Sequence, residues 1–149
     1  VIENKGIIFL RNESISLDNN FKNGEIINII GVDTPDVGHV DLEKALKNIN
    51  LKKGFNLLLS HTYDVLDSIN NDMNIDLILA GDTHGGQIKL PFIGKYIFKN
   101  IFKFDYVNGK YQVDNIILYI NRGLGTVKFP FRFRSRPELT IIDINNLKN

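Results

Sequence analysis

A chain of 149 residues is long enough for one domain with a sizeable core, and no uninterrupted apolar run approaches the ~18 residues of a membrane-spanning helix. Apolar content of 43% and charged content of 23% are ordinary for a globular protein, and the absence of cysteine excludes disulfides and thiolate-held metals. The net charge of +1 conceals an asymmetry, because residues 1–85 hold seven Lys and Arg against thirteen Asp and Glu, whereas residues 86–136 hold ten against two. Such a division is either chance clustering of solvated charges or a second half that faces something anionic.

Taken in chain order, "GIIFLRN" (6–12) and "SISL" (14–17) predict short strands, and "EIINIIGVD" (25–33) predicts a buried one. After the loop "TPDVGH", Asp41 is placed to cap a helix over "LEKALKNIN", whose Leu42, Ala45, Leu46 and Ile49 share one face. His39, in that loop, reads as a surface or capping residue. "FNLLLSH" (55–61) is a continuous apolar strand, "YDVLDSINND" a short helix, and "IDLILAGD" (75–82) a further buried strand. Beyond residue 104, "FDYVNGKYQV" predicts a hairpin turning at Asn108-Gly109, followed by strands in "NIILYINRG" and "ELTIIDI". Strands alternating with helices at this spacing predict an α/β layered fold with a largely buried sheet.

The chemistry gathers where two buried strands stop. His61 and His84 stand at or just after strand C-termini, the edge at which open α/β sheets bind ligands. Asp82 precedes His84 by two residues, so in extended backbone both side chains point the same way. An Asp and two neutral imidazoles make a sensible oxygen and nitrogen set for Zn, Mn or Fe, and Gly85 and Gly86 give an anion close access to the backbone. From the residues alone, a polar turn explains the same pattern.

"GDTHGGQIKLP" resembles the Gly-His-x-His-Gly-Gly-Gln motif of the calcineurin-like metallophosphoesterases, in their branch of small bacterial phosphodiesterases. "NLLLSHTYD" is similar to that branch's strand ending in a metal-binding His, and "GIIFLRNESI" with "INIIGVDTPD" to its mid-domain strands. "DYVNGKYQVDNIILYINRGLGT" and "FPFRFRSRPELTIIDI" resemble its closing segment, with an Arg-Gly-Leu-Gly turn before an Arg-Pro-Glu strand. The resemblance covers nearly the whole chain and implies the C-terminal part of a layered α/β/β/α metallophosphoesterase sandwich, with residues 1–149 as one partial domain. The family's Asp-x-His, Gly-Asp and Gly-Asn-His-Asp/Glu motifs do not appear, so a C-terminal half or truncated chain is expected, inactive by itself and with no catalytic acid of its own. Asp82 stands where the family motif has its first His, which favours Mn- or Mg-like ions over Zn.

The resemblance further implies two divalent metal ions (Mn, Fe, Zn or Mg), with His61 and Asp82 on one and His84 on the other. It implies hydrolysis of phosphomono- or phosphodiesters, in which the ions polarise the phosphoryl group and activate water. A lipid-linked or cell-envelope phosphoester is the expected substrate class.

The basic second half has two parts. In "FIGKYIFKNIFKF" (92–104), Lys95, Lys99 and Lys103 fall on one helical stripe opposite Ile and Phe, which suits either a membrane interface or a surface helix packed on the core. In "FRFRSR", alternation sets Arg132, Arg134 and Arg136 on one side and Phe131 and Phe133 on the other. Arg122, just before "GLGT", is the expected substrate-side contact, because its planar fork matches phosphate. Two rivals stand beside the hydrolase reading: a non-catalytic, membrane- or anion-binding remnant of the fold, and a nuclease. The nuclease ranks lower for want of a stacking platform or recognition helix, so no nucleic-acid partner is expected.

Overall fold

The buried runs around Ile30, Leu58, Ile78 and Leu118 lie side by side in a computed structural model that describes residues 6–17, 26–34, 38–91, 99–100 and 104–144. In chain order the strands are β1 (Glu13–Leu17), β2 (Ile27–Gly31), β3 (Phe55–Leu59), β4 (Leu77–Ala80), β5 (Gly109–Val113) and β6 (Ile116–Ile120). Among the described residues all six belong to one sheet, ordered β1-β2-β3-β4-β6-β5. β2, β3, β4 and β6 run parallel, and β1 and β5 close the two edges antiparallel. This is the α/β class that the alternating pattern predicts.

Register explains the core. Ile30 pairs with Leu58, Leu58 with Ile78, and Ile78 with Leu118, so four fully buried side chains form one row straight across the parallel strands. Helix α1 (Leu42–Leu46) and a 3-10 helix at Tyr63–Ser68 cover that row with Leu42, Ala45 and Val65. Each Ile, Leu or Val so buried contributes about 1.5–3 kcal/mol by leaving water. α1 begins as its sequence predicts, with the Asp41 carboxylate accepting from the Lys44 amide at 2.9 Å.

One polar pair interrupts the apolar face. Asn28 and Asn56 are neighbours in register, both 1% exposed, two residues before Ile30 and Leu58 on their strands. Asn28 Nδ2 donates to Asn56 Oδ1 at 2.7 Å, and Asn56 Nδ2 donates to the carbonyls of Leu51 (2.8 Å) and Asn74 (2.7 Å). The pair satisfies loop carbonyls at the sheet's N-terminal end that apolar residues would leave bare.

Three expected elements differ. Residues 6–12 carry no strand, and Ile7, Ile8 and Phe9 are exposed. Residues 138–144 carry none either, with Leu139 and Ile141 in solvent. A strand needs a partner for its backbone groups, and neither segment is paired to a sheet edge among the described residues. The hairpin turns at Asp114-Asn115 rather than Asn108-Gly109, since Val113 pairs with Ile116 and Asp114 takes the left-handed φ of 51°. Asn108 instead opens β5, its carbonyl accepting from the Tyr111 hydroxyl at 2.9 Å. The amphipathic stretch 92–104 lies outside the described residues apart from Lys99, Asn100 and Phe104. Among the described residues no helix is long and apolar enough to cross a membrane.

Candidate functional site

The parallel strands deliver their C-terminal ends to one rim. β3 runs out through Ser60 to His61, β4 through Gly81 to Asp82, and β6 through Asn121 to Arg122. The ends of β3 and β4 are tied together by the Gly81 amide, which donates to the His61 carbonyl at 3.0 Å. Asp82 then turns left-handed, with φ 64°. That turn carries its carboxylate to His61, Oδ1 lying 3.3 Å from Nε2, with both side chains a little under half exposed.

The expected extended run from Asp82 to His84 is not formed. Asp82 (φ 64°), His84 (49°), Gly85 (59°), Gly86 (75°) and Gln87 (33°) all adopt positive φ, and residues 84–86 make a 3-10 turn. Only two of the five are glycine. The other three cost on the order of 1 kcal/mol each, a strain held in place by the contacts around them. The same-side relation of Asp82 and His84 therefore does not follow from pleating. Asp82 meets His61, while His84 turns its Nδ1 to within 3.3 Å of the Gly125 carbonyl and 3.4 Å of an Arg132 guanidinium nitrogen. Its Nε2 has no partner among the described residues and is not buried.

Arg132 locks this loop to the turn after β6. Its guanidinium donates to the carbonyls of His84 (3.0 Å), Arg122 (2.8 Å), Gly123 (3.2 Å) and Ser135 (3.3 Å), and also reaches Gly125. The alternation expected in "FRFRSR" thus breaks: Arg132 points inward at backbone, and Arg134 takes φ 54°. Gln87 makes a second tie, donating to the carbonyls of Val127 (2.9 Å) and Phe129 (3.0 Å) and accepting from the Val127 amide at 2.7 Å. The Ser135 hydroxyl adds a third, donating to the His84 carbonyl at 2.9 Å. These roles were not legible beforehand. Nothing in a single sequence says that an Arg 48 residues from His84 spends its donors on that residue's carbonyl.

Gly85 and Gly86 serve the loop differently from the expected anion cradle. The Gly85 amide donates to Thr83 Oγ1 at 3.2 Å and the Gly86 amide to the Thr83 carbonyl at 2.7 Å. What Gly85 provides is space: a Cβ there would lie 2.7 Å from Ser135 Oγ and 2.8 Å from Arg122 Cδ. The Arg122 stem occupies the volume a side chain at 85 would need.

Arg122 ends in a polar network. Its Nε donates to Glu138 Oε2, and the Tyr119 hydroxyl donates to Glu138 Oε1. Thr140 Oγ1 donates to Glu138 Oε1 at 2.8 Å and accepts from Asn121 Nδ2 at 2.8 Å. Burial pushes the Glu138 carboxyl up, but hydrogen bonds from Tyr119, Arg122 and Thr140, with the Arg122 charge, outweigh it and hold the group at about 2. Burial and then the bond to Glu138 push the Tyr119 phenol up, and burial followed by repulsion from Arg122 pushes the Lys89 ammonium down.

A folded carboxyl titrating below its ordinary 4.5 stabilises the fold fully above that value and loses its contribution as pH falls toward 2. Thermal melts followed from about pH 6 to about pH 2 should decline most steeply below about pH 4.5, and Glu138→Gln should flatten that decline. An unchanged slope in the variant would rule Glu138 out as its source.

His39 is exposed, and its carbonyl accepts from the Asn12 side chain at 2.7 Å, in keeping with a surface residue.

Comparison with known proteins identifies the family. The chain is 37% identical over 123 residues to the uncharacterized metallophosphoesterase YkuE of Bacillus subtilis, covering 83% of this chain and 42% of that protein. It is 33% identical over 88 residues to the phosphodiesterase YaeI of Escherichia coli, covering 59% of this chain and 32% of YaeI. It is 28% identical over 156 residues to the UDP-2,3-diacylglucosamine pyrophosphatase LpxG of Chlamydia muridarum, covering 95% of this chain and 43% of LpxG. The chain belongs to the metallophosphoesterases. No family profile matches it, and no solved structure does. The chain spans about half or less of the length of these relatives.

Metallophosphoesterases as a family use divalent metal ions. The rim fits such an ion in part: His61 and Asp82 offer one nitrogen and one oxygen side by side, a donor pair suited to a hard or borderline cation. Among the described residues, no three His, Asp or Glu side chains come together as a complete ligand set. The remaining coordination positions must be filled by water or by groups beyond this cluster.

Proposed function

We propose that this chain forms one wall of a two-metal phosphoesterase site that hydrolyses phosphomono- or phosphodiesters. The observation that carries the reading is the His61–Asp82 pair, 3.3 Å apart at the C-terminal rim of parallel strands in a metallophosphoesterase. In this reading His61 and Asp82 hold one ion and His84 offers its Nε2 to a second. Ions bound there supply Lewis-acid polarisation of the phosphoryl group and activation of water. Arg122 presents its guanidinium to the anionic phosphoryl oxygens, and Gly85 leaves room beside the loop for the Arg122 stem. The residue that protonates the leaving oxygen is not assigned within this chain, and the chain alone is expected to be inactive.

Two ligands per ion leave most of each shell to water, so manganese should bind this chain weakly and in proportion to those ligands. Isothermal titration with MnCl2 should show His61→Ala and Asp82→Asn each weakening binding by roughly tenfold or more. Asp82→His, a substitution of one good ligand for another, should retain the ion. Manganese affinity unchanged in both loss variants would remove the hydrolase reading. It would favour a non-catalytic, anion-binding domain, to which the lack of a complete ligand cluster among the described residues also points.

A further inference from the structure

We propose that Glu138 is a positioning residue for Arg122, fixing its Nε edge so that the two terminal amino groups are held open toward a phosphoryl group at the rim. The inference rests on the reading of Arg122 as a phosphate contact. Its ground is the way the guanidinium's donors are divided. Nε is committed to Glu138, whereas the two terminal nitrogens have no partner among the described residues and are not buried. An arginine whose strongest acid partner took both terminal nitrogens in a fork would be neutralised and unavailable. Here the carboxylate takes the side edge and leaves the fork that matches phosphate.

The other supports define the same geometry. The Arg122 stem lies where a Cβ of Gly85 would be, so the side chain is held along its length as well as at Nε. Glu138 cannot swing to the fork, because Tyr119 and Thr140 both donate to its Oε1 and leave Oε2 for Arg122. The Glu138 amide donates to the Gly123 carbonyl at 3.1 Å, which ties the acid to the turn that carries Arg122. Arg132, by contrast, is spent on backbone carbonyls and has no fork to offer.

The test is a titration of this chain with inorganic phosphate, read on the Arg122 Nε–H resonance by NMR and on the dissociation constant. Arg122→Ala should weaken phosphate binding about tenfold, and Glu138→Gln about three- to tenfold. Combining them should weaken it no further than Arg122→Ala alone, because Glu138 acts only through Arg122. Glu138→Asp should recover part of the loss. If Glu138→Gln does not fold, Tyr119→Phe reads the same coupling with a smaller loss. Glu138 and Tyr119 variants that bind phosphate as the parent does, while Arg122→Ala does not, would overturn the positioning role and leave Arg122 as a contact. Undiminished binding by Arg122→Ala would overturn both.

Discussion

Gly85→Val should be the most damaging single change at the rim, lowering stability by about 3 kcal/mol and phosphate binding with it. Two independent costs add. The position has φ 59°, a left-handed conformation worth roughly 1–2 kcal/mol against any residue with a Cβ and more against a β-branched one. The new side chain would also meet Ser135 Oγ and the Arg122 stem at less than 3 Å, and overpacking of that kind costs about 1–3 kcal/mol. Neither neighbour gives way freely, because Ser135 is bonded to the carbonyls of His84 and Gly85 and Arg122 to Glu138. In a chain of this size a loss of about 3 kcal/mol should lower the melting temperature by roughly 10 °C. The displaced Arg122 should cost phosphate affinity even below the melt. Should Gly85→Val melt within a degree or two of the parent, the packing of Arg122 against residue 85 is not as described.

Asn56→Leu should be comparably severe at the opposite end of the sheet, on the order of 3–5 kcal/mol in urea unfolding, although it replaces a polar residue in a core strand by an apolar one. Loss of the amide leaves the Leu51 and Asn74 carbonyls without that donor and removes the shortest of the three bonds that Asn28 Nδ2 donates. Each buried group so orphaned costs about 1–3 kcal/mol, more than the added apolar burial returns. Asn71→Ala, at an exposed position in a 3-10 turn, is the contrast and should stay within about 0.5 kcal/mol of the parent. Equal effects from the two would show that the buried amide pair contributes nothing particular.

Much of the fold was legible because it is local. Continuous Ile and Leu runs marked β2, β3, β4 and β6, and an Asp three residues before a backbone amide marked the start of α1. The two side chains that meet at 3.3 Å, His61 and Asp82, were also legible, since each sits one or two residues past the end of a buried run and parallel strands bring such ends to one rim. The segments that read as strands and are none, 6–12 and 138–144, have the right composition and no edge to pair with among the described residues.

The chain's own residues thus determined the class of sheet, the rim on which the polar groups stand and the family to which it belongs, because apolar period, strand ends and motif spacing are written within short stretches. Only tertiary structure decided where Arg132 and Glu138 spend their hydrogen bonds, that Asp82 and residues 84–87 take positive φ, and that Asn28 and Asn56 pair in the core. The ties from Arg122 to Glu138, Asn28 to Asn56 and Arg132 to His84 join residues 16, 28 and 48 positions apart, where any of several donors could serve any of several acceptors until the strands fix their distance.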